Sequence, residues 1–95
     1  MQNKRKSHIE NIIRLREIAN IYTLTKQHEK SEKYHKIILR LCDKCPKTEE
    51  MLIFKMHSLN YLNKPYKSLE TTDELLNLNP YNMNALLNIA CFLKE

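Results

Sequence analysis

The chain has no glycine in 95 residues, where average usage of roughly 7% would supply about six or seven. Two-residue hairpin turns depend on glycine, so a sheet built from tight hairpins is excluded on turn chemistry. A glycine-rich phosphate loop is excluded for the same reason. Tryptophan is absent and alanine occurs only three times. Small-residue positions in any helix packing must therefore fall to Ser, Thr or something larger. Lys, Asn, Ile and Tyr make up 36 residues, a bias that would drive this drift away from alanine. No apolar stretch reaches the ~18 residues of a membrane span. The start Met1-Gln2-Asn3-Lys4-Arg5-Lys6 is basic, but no charge-free apolar run follows it, so no secretory leader is read there. Three cysteines are an odd number and imply no disulfide framework. The expected setting is intracellular and reducing, cytoplasmic rather than nuclear.

What is present is helical. Leu and Ile dominate the apolar set, and Leu is a good helix former. The first helix is read over about residues 7–26, with Ser7 and Glu10 at the spacing of a capping box. Gln27-His28-Glu29-Lys30 is read as a turn, and helix two as residues 31–44 with Tyr34, Ile37, Ile38 and Leu41 along its apolar stripe. Thr48 is placed to cap a third helix running to about Leu62, with Glu49 and Glu50 favourable at its N-terminus. Pro65 suits the first turn of helix four, which ends near Leu78. Helix five covers about residues 82–94.

Pro46 and Pro80 lie 34 residues apart, each between two helical patterns. With each proline at position 32 of a repeat, repeats span 15–48 and 49–82, and 83–95 is the first helix of an incomplete third; 1–14 is a basic extension. Positions 4, 7, 8 and 11 of the third are Leu86, Ile89, Ala90 and Leu93. In the second they are Leu52, Lys55, Met56 and Leu59, followed by Ser68, Thr72 and Leu75 at positions 20, 24 and 27. In the first they are Ile18, Ile21, Tyr22 and Thr25, then Tyr34, Ile38 and Leu41, with tyrosines where small residues belong. This pattern resembles a divergent tetratricopeptide (TPR) repeat over residues 15–95. Leu59-Asn60-Tyr61-Leu62-Asn63-Lys64 is also similar to the N-terminal TPR region of the scaffold subunit of an N-terminal acetyltransferase. The resemblance implies an all-α, right-handed stack of antiparallel helix pairs acting as a protein-binding scaffold or complex subunit without catalysis or cofactor.

In such an arrangement the first helix of each repeat lines the concave face. The residues so placed are Arg16, Ala19, Thr23, Lys26 and Gln27, then Glu50, Ile53, His57, Asn60 and Tyr61, then Asn84, Leu87 and Cys91. They mix apolar anchors with amides, which suits an extended or helical peptide. The chaperone-tail-binding subfamily clamps a carboxylate with Lys, Asn and Arg; here those positions hold Ala19, Thr23, Phe54, Asn84 and Asn88, and the clamp pattern is absent. The last helix is apolar nearly all round, so Phe92 and Leu93 are expected to form a patch for self-association or a second protein.

Charge offers an alternative. Residues 1–47 carry 12 basic and 5 acidic side chains, whereas 48–95 carry 4 and 6. A basic half can attract RNA, and Lys4-Arg5-Lys6 can act as a nuclear address. The bases at 30, 33, 36, 40 and 44 are interleaved with Glu29, Glu32 and Asp43, however, as on a solvated, ion-paired helix face. Cys42-Asp43-Lys44-Cys45 lacks the second pair that a zinc site needs. No histidine stands at a recognisable spacing from an acid and a nucleophile, so catalysis is not expected. A truncated piece of a larger TPR protein is the remaining reading.

Overall fold

The computed structural model describes the backbone of residues 4–94 and the side chains of residues 8–94. The described residues form five α-helices and no strand: α1 (Lys4–Leu24), α2 (His28–Cys42), α3 (Glu49–Tyr61), α4 (Pro65–Leu78) and α5 (Met83–Lys94). None of these helices is long and apolar enough to cross a membrane. Each helix packs on the next in the chain, giving a flat arrangement of helix pairs, 38 × 38 × 17 Å. A stack only 17 Å deep has no common centre, and its buried residues divide accordingly. Ile12, Ile38, Cys42, Met51 and Phe54 join α1, α2 and α3. Leu52, Leu75 and Ala85 join α3, α4 and α5.

The caps explain where the helices stop. Thr48 accepts a hydrogen bond from the Met51 N–H at 3.2 Å, and Pro65 opens α4 at a position that needs no N–H donor. Asn82 accepts from the Ala85 N–H at 3.1 Å and so starts α5. Without glycine, the two turns inside the helix pairs use other residues in the left-handed region: Lys26 at φ 61° and Asn63 at φ 58°. Both turns close identically. The Gln27 N–H reaches back to Tyr22 O (2.8 Å) and Lys26 N–H to Thr23 O (3.1 Å), while Lys64 N–H reaches Leu59 O (2.9 Å) and Asn63 N–H reaches Asn60 O (3.1 Å). This is the Schellman pattern, made here without its usual residue.

Two expectations are corrected. Helix α1 already includes Lys4, so Ser7 does not begin it; the Ser7 side chain and the basic side chains of Lys4, Arg5 and Lys6 lie outside the described residues. Helix α2 starts at His28 rather than Ser31, and Ser31 is fully buried inside the first pair.

A further correction concerns the repeat register. Burial aligns Ser31 with Ser68, His35 with Thr72 and Ile38 with Leu75, each pair 37 residues apart and each residue at most 5% exposed. In α1 the same shift aligns Ala19 (0% exposed) with Met56 (1%). The first pair therefore sits three residues earlier than the proline spacing places it. Helix α2 has 15 residues against 14 in α4, and its following loop spans 43–48 against 79–82. Pro46 and Pro80 keep a constant distance to the helix that follows them, not to the one before. With that shift the small-residue positions of the first pair hold Ala19 and Ser31, not Tyr22 and Tyr34. Ser31 Oγ lies 3.0 Å from Ala19 O and 2.7 Å from Thr23 Oγ1, a contact only small side chains permit. Tyr22 and Tyr34 stack beside it at 5.6 Å.

Candidate peptide groove on the odd-numbered helices

The face shared by α1, α3 and α5 carries most of the residues that the repeat pattern nominates, with changes that follow from the register. Ala19 is wholly buried against α2 and cannot touch a ligand. Thr23 is half-buried, its hydroxyl engaged with Ser31 and Ala19 O. Asn20 and Leu24, the latter 81% exposed, take the places equivalent to His57 and Tyr61. Ile13, at 39% exposure, is equivalent to Glu50. The signal for these three was present in the chain, but the proline spacing hid it.

Arg16 lies with its guanidinium 5.4 Å from the centre of the Phe54 ring, bridging α1 to α3. Its charge acts on two histidines. His35 is buried, its Nδ1 2.9 Å from Ser58 Oγ, and its ring stacks on Tyr61 at 4.4 Å. Burial, and then the Arg16 charge, holds its pKa below the usual imidazole value. His57 is half-buried and lowered by the same two causes in the same order. The Ser58–His35 contact has no access for a substrate, since Ser58 is 2% exposed. Tyr61 is spent largely on the fold: beyond the stack, its hydroxyl lies 3.2 Å from His28 Nδ1.

At the junction of α3, α4 and α5 the face deepens into a cleft of about 200 Å³. Asn60, Asn63, Lys64, Asn88, Cys91 and Phe92 are among its walls. One wall is rigid. Asn60 donates to Asn88 Oδ1 at 2.8 Å, and Asn88 donates to Ser68 Oγ (3.1 Å) and Thr72 Oγ1 (2.8 Å). Those bonds use both Asn88 amide hydrogens and engage its oxygen. On α5 Leu87 is 56% exposed, and Asn84 and Cys91 are exposed as well. Ile53 is half-buried against the α3–α5 cluster. Of the nominated residues, Asn60 and Cys91 line this cleft, Arg16, Thr23, Ile53, His57 and Tyr61 are half-buried, Asn84 and Leu87 are exposed, and Ala19 is buried.

The basic face of α2 is ion-paired in part. Lys36 meets Glu32 at 3.1 Å, and Lys30 lies 5.5 Å from the Tyr22 ring centre. Lys55 of α3 stays half-exposed and reaches Asp43 at 3.8 Å. Burial pushes the Cys42 thiol up to about 12, with Cys45 and Asp43 adding to it against Lys55. Burial raises Cys45 too. Two protonated thiols are the reverse of what metal binding or thiolate chemistry requires. Among the described residues no group of three or more His, Cys, Asp and Glu side chains could hold a metal ion.

Comparison with protein-family models, with curated proteins and with solved structures returns no match.

Proposed function

We propose that this chain is a TPR-like protein-interaction module that holds a peptide or helix against the face formed by α1, α3 and α5. It does so without catalysis or cofactor, inside the cell and in the cytoplasm, where its three free cysteines stay reduced. The observation that carries the reading is the exposure of apolar side chains on that face beside hydrogen-bonding groups. Leu24 of α1 and Leu87 of α5 stand 81% and 56% exposed, and Arg16, Asn20, His57 and Asn60 lie on the same set of helices. Apolar anchors flanking hydrogen-bonding groups are what peptide recognition uses. The amide-walled cleft between α3, α4 and α5 suits a backbone peptide group or a polar side chain of the ligand.

The test is selection of a displayed peptide library on the whole chain, followed by mapping of amide shifts. Selected peptides should perturb Asn20, His57, Asn60 and Leu87, and Leu87→Asp should weaken them at least about tenfold. Peptides that perturb only α2 or α4 would remove the assignment. RNA binding through the basic half predicts a steep loss of affinity with salt instead; the pairing of Lys36 with Glu32 and of Lys30 with Tyr22 favours the peptide reading.

A further inference from the structure

The motif Cys42-Asp43-Lys44-Cys45 plays no part in the groove. Cys42 is the last residue of α2, and Cys45 stands in the connection to α3. The chain turns there. Asp43 N–H donates to Leu39 O at 3.2 Å, Lys44 N–H to Leu41 O at 3.0 Å and Cys45 N–H to Cys42 O at 3.1 Å. A four-residue turn holds its end Cα atoms within about 7 Å, and a disulfide requires about 4.4–6.8 Å. Both side chains also go to one place. Cys42 belongs to the buried cluster that joins α1, α2 and α3, and Cys45 packs against that cluster.

The two thiols differ in access. Cys42 is 5% exposed, and its Sγ lies 4.0 Å from Met51 O in the first turn of α3. Cys45 is only half-buried, so a reagent can reach it from solvent. The third cysteine, Cys91, is exposed on α5 and is not part of this cluster. An accessible sulfur beside a buried one, held in a single turn, is the arrangement in which the first sulfur takes up an oxidant and the second resolves it.

We propose that Cys42 and Cys45 form a redox pair, closed by a low-molecular-weight disulfide into a bond that staples the end of α2 to its connection with α3. Cys45 reacts first. As the thiolate it attacks one sulfur of glutathione disulfide. That S–S bond breaks, one glutathione leaves and takes up the proton, and glutathione stays bonded to Cys45. Cys42 then gives up its proton and attacks the Cys45 sulfur, and the second glutathione leaves with that proton. Two cysteine thiols lose two electrons, and one glutathione disulfide is reduced to two thiols. Burial raises the pKa of both thiols, so the exchange is slow. It does not oppose the bond, because the reduced pair holds no stabilised thiolate.

Trypsin reads the bond directly. Cleavage after Arg40, Lys44 and Lys47 releases Leu41–Lys44 and Cys45–Lys47 as separate peptides from the reduced chain, and as one linked species from the oxidised chain. The whole chain is equilibrated in graded glutathione buffers, quenched, alkylated, digested and weighed. The folded chain should reach half-linkage at a [GSH]²/[GSSG] value at least about tenfold higher than the chain unfolded in urea, because the native turn already brings the sulfurs together. By linkage the oxidised chain must then have the higher urea midpoint. The amides of Asp43, Lys44 and Cys45 should exchange more slowly once the bond is made. Cys42→Ser should trap glutathione on Cys45, whereas Cys45→Ser should leave Cys42 unmodified in the folded chain. Half-linkage at the same value in folded and unfolded chains overturns the proposal, as does a urea midpoint lowered by oxidation. Oxidation that goes to Cys91 and leaves the pair unlinked overturns it too.

Discussion

Single residues on the α1–α3 seam set a pH dependence. His35 is buried beside Ser58 and Tyr61, with the Arg16 charge nearby, so its folded pKa is depressed. The unfolded chain takes up that proton at about the ordinary value of 6.5, while the folded chain resists it. Below that pH the unfolded state binds more protons, so stability falls as pH falls and levels off only beneath the folded pKa. His57 acts in the same sense. The urea midpoint should accordingly drop between about pH 7.5 and pH 5, and His35→Gln, which can keep a hydrogen bond to Ser58, should flatten the slope. Arg16→Gln supplies the second half of the argument. It removes the positive charge from both rings, so both imidazole titrations followed by NMR should move upward. A midpoint independent of pH, or titrations unmoved by Arg16→Gln, would contradict the account.

At the scale of elements, the two helix pairs solve one turn problem with different residues. Lys26 and Asn63 both hold positive φ at the closing position of a Schellman turn. That conformation costs a residue with a Cβ roughly 1–2 kcal/mol, and asparagine least among such residues. Lys26→Gly should therefore stabilise the chain by about 1 kcal/mol in urea denaturation, and Asn63→Gly by less. Equal effects would show that the strain is not carried there. The helices themselves were readable, because Thr48, Pro65 and the apolar periods each have a local cause. The start of α2 was not, since Ser31 resembles a cap while being buried against Ala19. The register was not readable from the prolines either. A proline punctuates the loop it stands in and fixes the helix after it, whereas the helix before it is placed by packing. Hence the proline spacing put Ala19, which is buried, where an exposed residue was expected, and passed over the exposed Asn20 and Leu24. Exposure of the α5 face was legible, because a helix apolar nearly all round must be covered on several sides.

The whole molecule is a line of contacts rather than a ball, and its stability should be graded along that line. Helix α3 belongs to both buried clusters: Met51 and Phe54 serve the first, and Leu52 serves the second. Its N-terminus is also tied forward, since Glu49 accepts from Asn82 at 2.8 Å and from Asn79 at 3.0 Å, bonds that lower its pKa. Helix α5, in contrast, contributes only Ala85 to the buried set, and its remaining polar tie runs through Asn88. In a stack where each element touches only its neighbours, opening the end costs one interface, while opening the middle costs two. Native-state hydrogen exchange should therefore rank the amides of α3 as the most protected and those of α5 among the least. Asn88→Ala cuts the tie to Asn60, Ser68 and Thr72, so it should lower protection in α5 further. The amides of α1 and α2, whose contacts lie in the other cluster, should keep their wild-type rates. Uniform protection along the chain, or a loss in α1 and α2 equal to that in α5, would mean that the two clusters fold as one cooperative core.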